Sequence, residues 1–294
     1  MQWGQIKTLF IVSFLILDLF LLQQFLSKQD TNELTTLSPS QEELEDMDID
    51  LSNVPEEKPI LKVMKAKPDE FAEENIEEIH DLDQDQQEYK IIDDRLLVSV
   101  FKDPIKIDED NVTEQVSKYV PFASQYSYWT WNKEKHVIIF FQKANNHTIY
   151  YNKGGALIIK VDDGKMTKYS ASLLNISDEE FGEQADLIAP IAAVQQLRDS
   201  LSKGDEITEM NLGYYSNINL NLLVENGAQV FNPTWKITVN GEDEYFVDAL
   251  KGTLLSMDEG KFIDKSIATL ENNTKDPTDI PKPNNERSSN GESQ

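Results

Sequence analysis

Residues 126–174 read YSYWTWNKEKHVIIFFQKANNHTIYYNKGGALIIKVDDGKMTKYSASLL. Tyr126, Tyr128 and Thr130 alternate with Ser127 and Trp129 up to Trp131, while Val137 to Phe141 is an unbroken apolar run. Thr148–Tyr151 and Ala156–Val161 flank Asn152-Lys153-Gly154-Gly155, and Asp162-Asp163-Gly164 turns the chain into Met166–Leu174. These are strand runs broken by hairpin residues. The links are too short for parallel crossovers, so the sheet they build is antiparallel.

Upstream, Ile60–Met64 reads as a short strand, and Pro68–Ile79 as an acidic helix with Phe71, Ile76 and Ile79 buried. Tyr89–Ile92 and Leu96–Phe101 are strands joined at Asp93-Asp94. Asp108–Val120 is a helix with Val112, Val116 and Tyr119 on one face, stopped by Pro121. Downstream, Ser177-Asp178-Glu179-Glu180 has the form of a capping box. A longer helix starts near Pro190, with Ile191, Val194, Leu197 and Leu201 as its buried stripe and Lys203-Gly204 as its end. Strands follow at 206–215, 228–239, 245–250 and 253–257, with turns at Asn226-Gly227 and Asn240-Gly241. Trp235, Ile237 and Val239 alternate with Lys236 and Thr238, as a half-buried strand does. The expectation is an α+β fold in two domains split near Asn175, each laying a helix on an antiparallel sheet.

The N-terminus is different. Trp3–Leu26 is WGQIKTLFIVSFLILDLFLLQQFL, long and apolar enough as a helix to cross a bilayer of about 30 Å. Lys7 precedes the run and acids crowd the region beyond Lys28, so the N-terminus is expected inside and the body outside. No small-residue cleavage site follows the run, which favours an uncleaved anchor over a signal peptide. Asp18 sits inside it, where a carboxyl costs about 2.5–3.5 kcal/mol on insertion scales. The flanking Leu, Ile and Phe offset that cost. Asp18, with Ser13 as a second polar contact, is the candidate contact to another membrane helix; a tolerated blemish is the plain alternative.

The expected organisation is a cytoplasmic tip and anchor over 1–27, an acidic stalk over 28–59, extracellular domains over 60–175 and 176–271, and a disordered tail over 272–294. The chain has 294 residues, 27 Lys plus Arg against 53 Asp plus Glu, a net charge of −26 and no cysteine. The charge argues against nucleic acid as a ligand, and the missing cysteines exclude disulfides and thiol chemistry. His80, His136 and His147 form no metal motif, and there is no nucleophile elbow or phosphate loop. No catalytic residue, cofactor or metal is expected. Tyr126, Tyr128, Trp129, Trp131 and Trp235 are candidate surface or packing aromatics; for the first four, cross-strand packing is the ordinary account and a glycan platform the alternative.

Several stretches together resemble a known family. Trp3–Leu19, Ala66-Lys67-Pro68, Leu97–Ile105 and Leu212-Gly213-Tyr214-Tyr215 carry it, with Val230–Ile237, Tyr245–Ala249 and Gly252. The pattern is similar to YycI (WalI), accessory regulators of the WalK/WalR (YycG/YycF) two-component system of low-GC Gram-positive bacteria. Its last block also looks like the strands of PepSY-type domains. The resemblance implies a non-enzymatic, single-pass membrane protein that associates with YycH and the sensor histidine kinase WalK and so affects cell-wall homeostasis. An extracellular ligand-binding sensor, or a protease-associated PepSY-like module, is the alternative.

Overall fold

The computed structural model describes residues 3–30, 39–71, 79, 82–83, 85–176, 181–184, 186–216 and 227–274. By their internal contacts they form two units, Met1–Asp46 and Met47–Gln294. The first holds α1 (Trp3–Asp30) and α2 (Pro39–Asp46). After Gly4, α1 contains neither glycine nor proline, so nothing in its sequence breaks it, and Asp18 does not interrupt it. Its described side chains from Phe10 to Leu22 are all exposed. That stretch is shorter than the roughly 20 residues a crossing needs, and among the described residues no helix is long and apolar enough to cross a membrane.

The second unit contains two antiparallel sheets. One is built from β2 (Gln87–Ile92), β3 (Leu96–Lys106), β4 (Tyr126–Asn132), β5 (Val137–Ala144), β6 (His147–Thr148), β7 (Ala156–Asp162) and β8 (Lys165–Ala171). Its order is β2-β3-β8-β7-β5-β4, with β6 on β5. Two of the expected turns are present: Asp93, Asp94, Asp163 and Gly164 all take positive φ, which short polar side chains and glycine tolerate. The expected hairpin at 152–155 is not formed, because β6 and β7 each pair with β5 and not with one another. Helix α3 (Val112–Tyr119) covers one face, placing Val112 and Val116 in a core with Ile138, Phe140, Leu157 and Tyr169. Helix α5 (Glu259–Asn272) covers the other, placing Phe262, Ile263 and Leu270 with Val137, Ile139, Phe141 and Ile158. The unbroken apolar run of β5 follows: both of its faces are buried.

The second sheet uses β1 (Lys62–Pro68), β9 (Leu174–Asn175), β10 (Phe181–Gln184), β11 (Ile207–Tyr215), β12 (Gln229–Val239), β13 (Asp243–Asp248) and β14 (Thr253–Leu255). Its path is β10-β1-β12-β13-β14, with β11 on β12 and β9 on β1. Met64 pairs with Phe231 and Ala66 with Gln229, so an early strand completes a late sheet. A cut near Asn175 therefore does not separate the two sheets. The expected turn at Asn240-Gly241 is present, both residues taking positive φ.

Several local readings change. Pro68 ends β1 rather than opening a helix, a strand-end position where its missing N–H is tolerated; residues 72–78 of that expected helix lie outside the described residues. The stripe after Pro190 is not one helix. Helix α4 (Pro190–Gln195) stops, and Leu197 N–H then donates to Val194 O at 2.9 Å and Ser200 N–H to Leu197 O at 2.7 Å. Three-residue spacing suits this tighter winding, which still buries Val194, Leu197 and Leu201. Within the expected stalk, Ile49 is buried, Asp50 N–H donates to Asp205 O and Ile207 N–H to Asp50 O, both at 2.9 Å. The acidic composition there conceals an edge contact with β11. Helix α5 has no counterpart in the sequence reading, although Asp258 caps it by accepting from Lys261 N–H at 2.8 Å. The capping box at 177–180, Asn226 and residues 275–294 lie outside the described residues.

Candidate functional site

The aromatic strand β4 is an edge of the first sheet. Its register shifts between Tyr128 and Thr130: Tyr128 opposes Phe140, then Thr130 opposes Ile139 and Trp131 opposes Ile138. A bulge of this kind re-aims side chains. Tyr126 and Trp131 join the α3 side, with Tyr128 edge-on to Phe140 there, and Trp129 goes to the α5 side.

Tyr126 is buried and donates through its hydroxyl to Ser172 O at 2.8 Å. Tyr128 is 42% exposed and meets Phe140 edge-on at 5.5 Å. Trp131 carries the Lys133 ammonium 3.0 Å from its ring centroid, a cation–π contact. Lys133 also pairs with Glu109. The four aromatics therefore form no common platform. Trp235 is 2% exposed, opposite Leu212 and Val247 in the second sheet.

Trp129 marks the place where the two sheets meet. Its ring lies 5.3 Å from Phe141, 5.7 Å from Tyr150, 5.6 Å from Tyr151 and 6.3 Å from Phe246 of β13. Lys236 of β12 places its ammonium 4.7 Å from the Trp129 centroid. The same ammonium pairs with Glu209 at 3.2 Å and Glu244 at 2.9 Å. Only 12% of the Lys236 side chain is exposed. The alternation in 235–239 marks Lys236 as solvent-facing; it cannot say that a second sheet covers the polar face. That is why Lys236, Glu209 and Glu244 escape a reading of the sequence.

Partial burial pushes the Glu209 carboxyl up, but Lys236's charge and hydrogen bonds from Lys236, Asn211 and Thr238 win and hold it below its ordinary range. Glu209 thus contributes stability above the usual glutamate range that is lost as pH falls through its lowered value. Glu259 goes the other way: burial, then the Glu244 charge, raise its pKa, and a Trp129 hydrogen bond only partly offsets them. Ionised Glu259 is a cost to the fold above its raised pKa that disappears in acid. Glu259→Gln should raise the thermal midpoint at pH 7, and the gain should shrink towards about pH 4. Melting curves of both proteins at the two pH values check this; an equal gain at both would refute it.

This grouping is a clamp, because each carboxylate of the Glu209–Lys236–Glu244 set is taken up by the ammonium. His147 is occupied by a 2.9 Å hydrogen bond between Nδ1 and Leu212 O. Among the described residues no group of three or more His, Asp or Glu side chains could hold a metal ion. In α1, Ser13 and Asp18 are five residues apart, which turns them roughly 140° from each other around the axis. They do not share a face.

Comparisons with known proteins add a family. No curated protein matches the chain. Among solved structures, an uncharacterized protein from Eubacterium rectale is 12% identical with a TM-score of 0.42, covering 76% of this chain and 100% of its own. The C-terminal domain of Bacillus megaterium YpeB is 13% identical with a TM-score of 0.31, covering 56% and 77%. Bacillus subtilis YycH is 11% identical with a TM-score of 0.36, covering 65% and 53%. These likenesses are too slight to carry an argument. The family model described as YycI protein, however, matches residues 27–250, starting beyond the N-terminal apolar run and taking in both sheets except β14. On that match the chain belongs to the YycI family.

Proposed function

We propose that this protein is a non-enzymatic accessory of the WalK/WalR system that binds the sensor kinase WalK together with YycH and tunes its signalling. The family match over residues 27–250 carries this reading. Helix α1 acts as a single-pass anchor, with the N-terminus cytoplasmic and the two-sheet unit outside. Its support is one continuous helix over the apolar run, exposed wherever its side chains are described. A protein of this kind works by differential contact, since a few kcal/mol suffices to move a two-state kinase.

Asp18 is the contact point we assign within the bilayer. Asp18→Leu should leave the protein in the membrane fraction. It should weaken co-purification with the kinase by roughly fivefold, the equivalent of one interhelical hydrogen bond of about 1 kcal/mol. Quantitative pull-down of the kinase on full-length wild type and variant decides it. Equal recovery would remove Asp18 from the interface, and release of the wild type by a salt wash would remove the anchor itself.

A further inference from the structure

A cavity of about 600 Å³ opens beside α5, within the size range of small-molecule sites. Tyr151, Tyr215 and Phe262 give it apolar walls, and Lys153, Lys261 and Lys265 line it with ammonium-bearing chains. None of these three ammonium groups is ion-paired among the described residues. The one carboxylate in the lining, Asp258, is engaged through Oδ1 as the cap of α5. In a chain of net charge −26 this is a local reversal of sign.

The reversal is built by sorting. Of the three acids of α5, Asp264 is directed to Lys135 at 2.9 Å and Glu271 to Lys168 at 2.8 Å, while Glu259 is hydrogen-bonded with Trp129 and does not line the cavity. Lys261 and Lys265 are left four residues apart on one helical face, an arrangement in which like charges repel and destabilise a helix. Lys153 joins them from the other wall. Its turn is fixed by Asn152, which accepts from Gly154 N–H at 2.8 Å and donates to Gln229 at 2.8 Å. Ser172 Oγ adds a hydrogen bond to Lys153 O. Burial, then the charge of Lys265, lower the Lys153 pKa. Its ammonium is thus held in a place where, among the described residues, no carboxylate forms an ion pair with it.

We propose that this cavity binds an amphipathic organic anion, an apolar or aromatic body carrying a phosphate or carboxylate head. The rings take the body, and Lys153 and Lys265 take the head, with Lys261 at the mouth. Binding the anion relieves the repulsion among the lysines, which are held ready by the turn at Asn152. This is independent of the kinase reading, because it requires only the folded two-sheet unit.

The test is ¹⁹F NMR on the full chain in neutral maltoside micelles, with 4-fluorophenyl phosphate and 4-fluorobenzoate as probes and 4-fluorophenol as the uncharged control. At least one anionic probe should broaden at millimolar concentration and bind about tenfold more tightly than the phenol. The tighter of the two identifies the head group. Lys153→Gln/Lys265→Gln should lose about tenfold in affinity without a lower melting temperature, since it removes repulsion. Lys261→Gln/Lys265→Gln, at exposed positions, repeats the test should the first variant fold poorly. Three results would each overturn the site: no broadening by either anion, variants that bind like wild type, or phenol binding as tightly as the anions. Displacement by inorganic phosphate at the probe's own concentration would show that the rings contribute nothing, and would overturn the amphipathic assignment.

Discussion

Replacing Phe141 by alanine should lower stability by about 3–5 kcal/mol, the usual cost of deleting a fully buried phenylalanine. Phe141 lies in β5 with no exposed surface, 5.3 Å from both Trp129 and Tyr151 and 5.5 Å from Phe262 of α5. Those three rings are themselves fixed by other rings, with Trp129 and Tyr151 both touching Phe246 and Tyr151 touching Phe262. A hole at Phe141 therefore cannot close by a single rotamer change. The loss should fall first on α5, whose Phe262 packs directly on the missing ring. Hydrogen exchange should show the amides of 259–272 opening earlier than those of β7 and β8, alongside a lower denaturant midpoint in equilibrium unfolding. A loss below about 1 kcal/mol would mean that the ring cluster is loosely packed.

Gly213→Ala should be nearly as damaging, by about 3 kcal/mol, for a reason that has nothing to do with conformational freedom. A Cβ there would sit 2.4 Å from Tyr150 Cε2 and 2.5 Å from the carbonyl oxygen of Thr148. Gly213 lies where the two sheets join. Tyr150 N–H donates to Tyr214 O at 2.8 Å, Ile149 bridges Tyr214, and His147 bonds Leu212 O. Tyr150 is hemmed in by Trp129 and by Phe246, 5.2 Å away. The Thr148 oxygen is main chain. Neither can yield cheaply, so the added methyl must push β11 off the first sheet. Adding Tyr150→Ala should recover little, because the carbonyl clash remains and a second cavity appears; full recovery in the double variant would place the conflict in the ring alone. Unfolding curves of the single and double variants separate the cases.

Much of this architecture is written locally. The strand runs at 126–132, 137–144 and 156–171 with the turn at Asp163-Gly164, the pair of strands around Asp93-Asp94, the helix at Val112–Tyr119 and the hairpin at Asn240-Gly241 are decided by period and turn chemistry that act over a few residues. The family likeness, too, lies in the residues themselves. Other features depend on what comes from far along the chain. Pro68 ends a strand because β9 pairs with β1 there, Leu174 opposite Pro68, and Lys236 is covered because Trp129 of the other sheet lies against it. The β4 bulge splits an aromatic run across two faces, which no spacing rule foretells.

The sequence by itself determined the antiparallel α+β class, most strand and turn positions, the family, and a single apolar N-terminal helix, because each depends on neighbours within a turn or a hairpin. Only the tertiary structure decided that β1 completes the late sheet, that α5 closes the back of the early one, and that three lysines with no ion pair among the described residues face one cavity. Those are facts of long-range pairing and second-layer coverage. A strand's alternation records that it has two faces; it does not record what will lie on each.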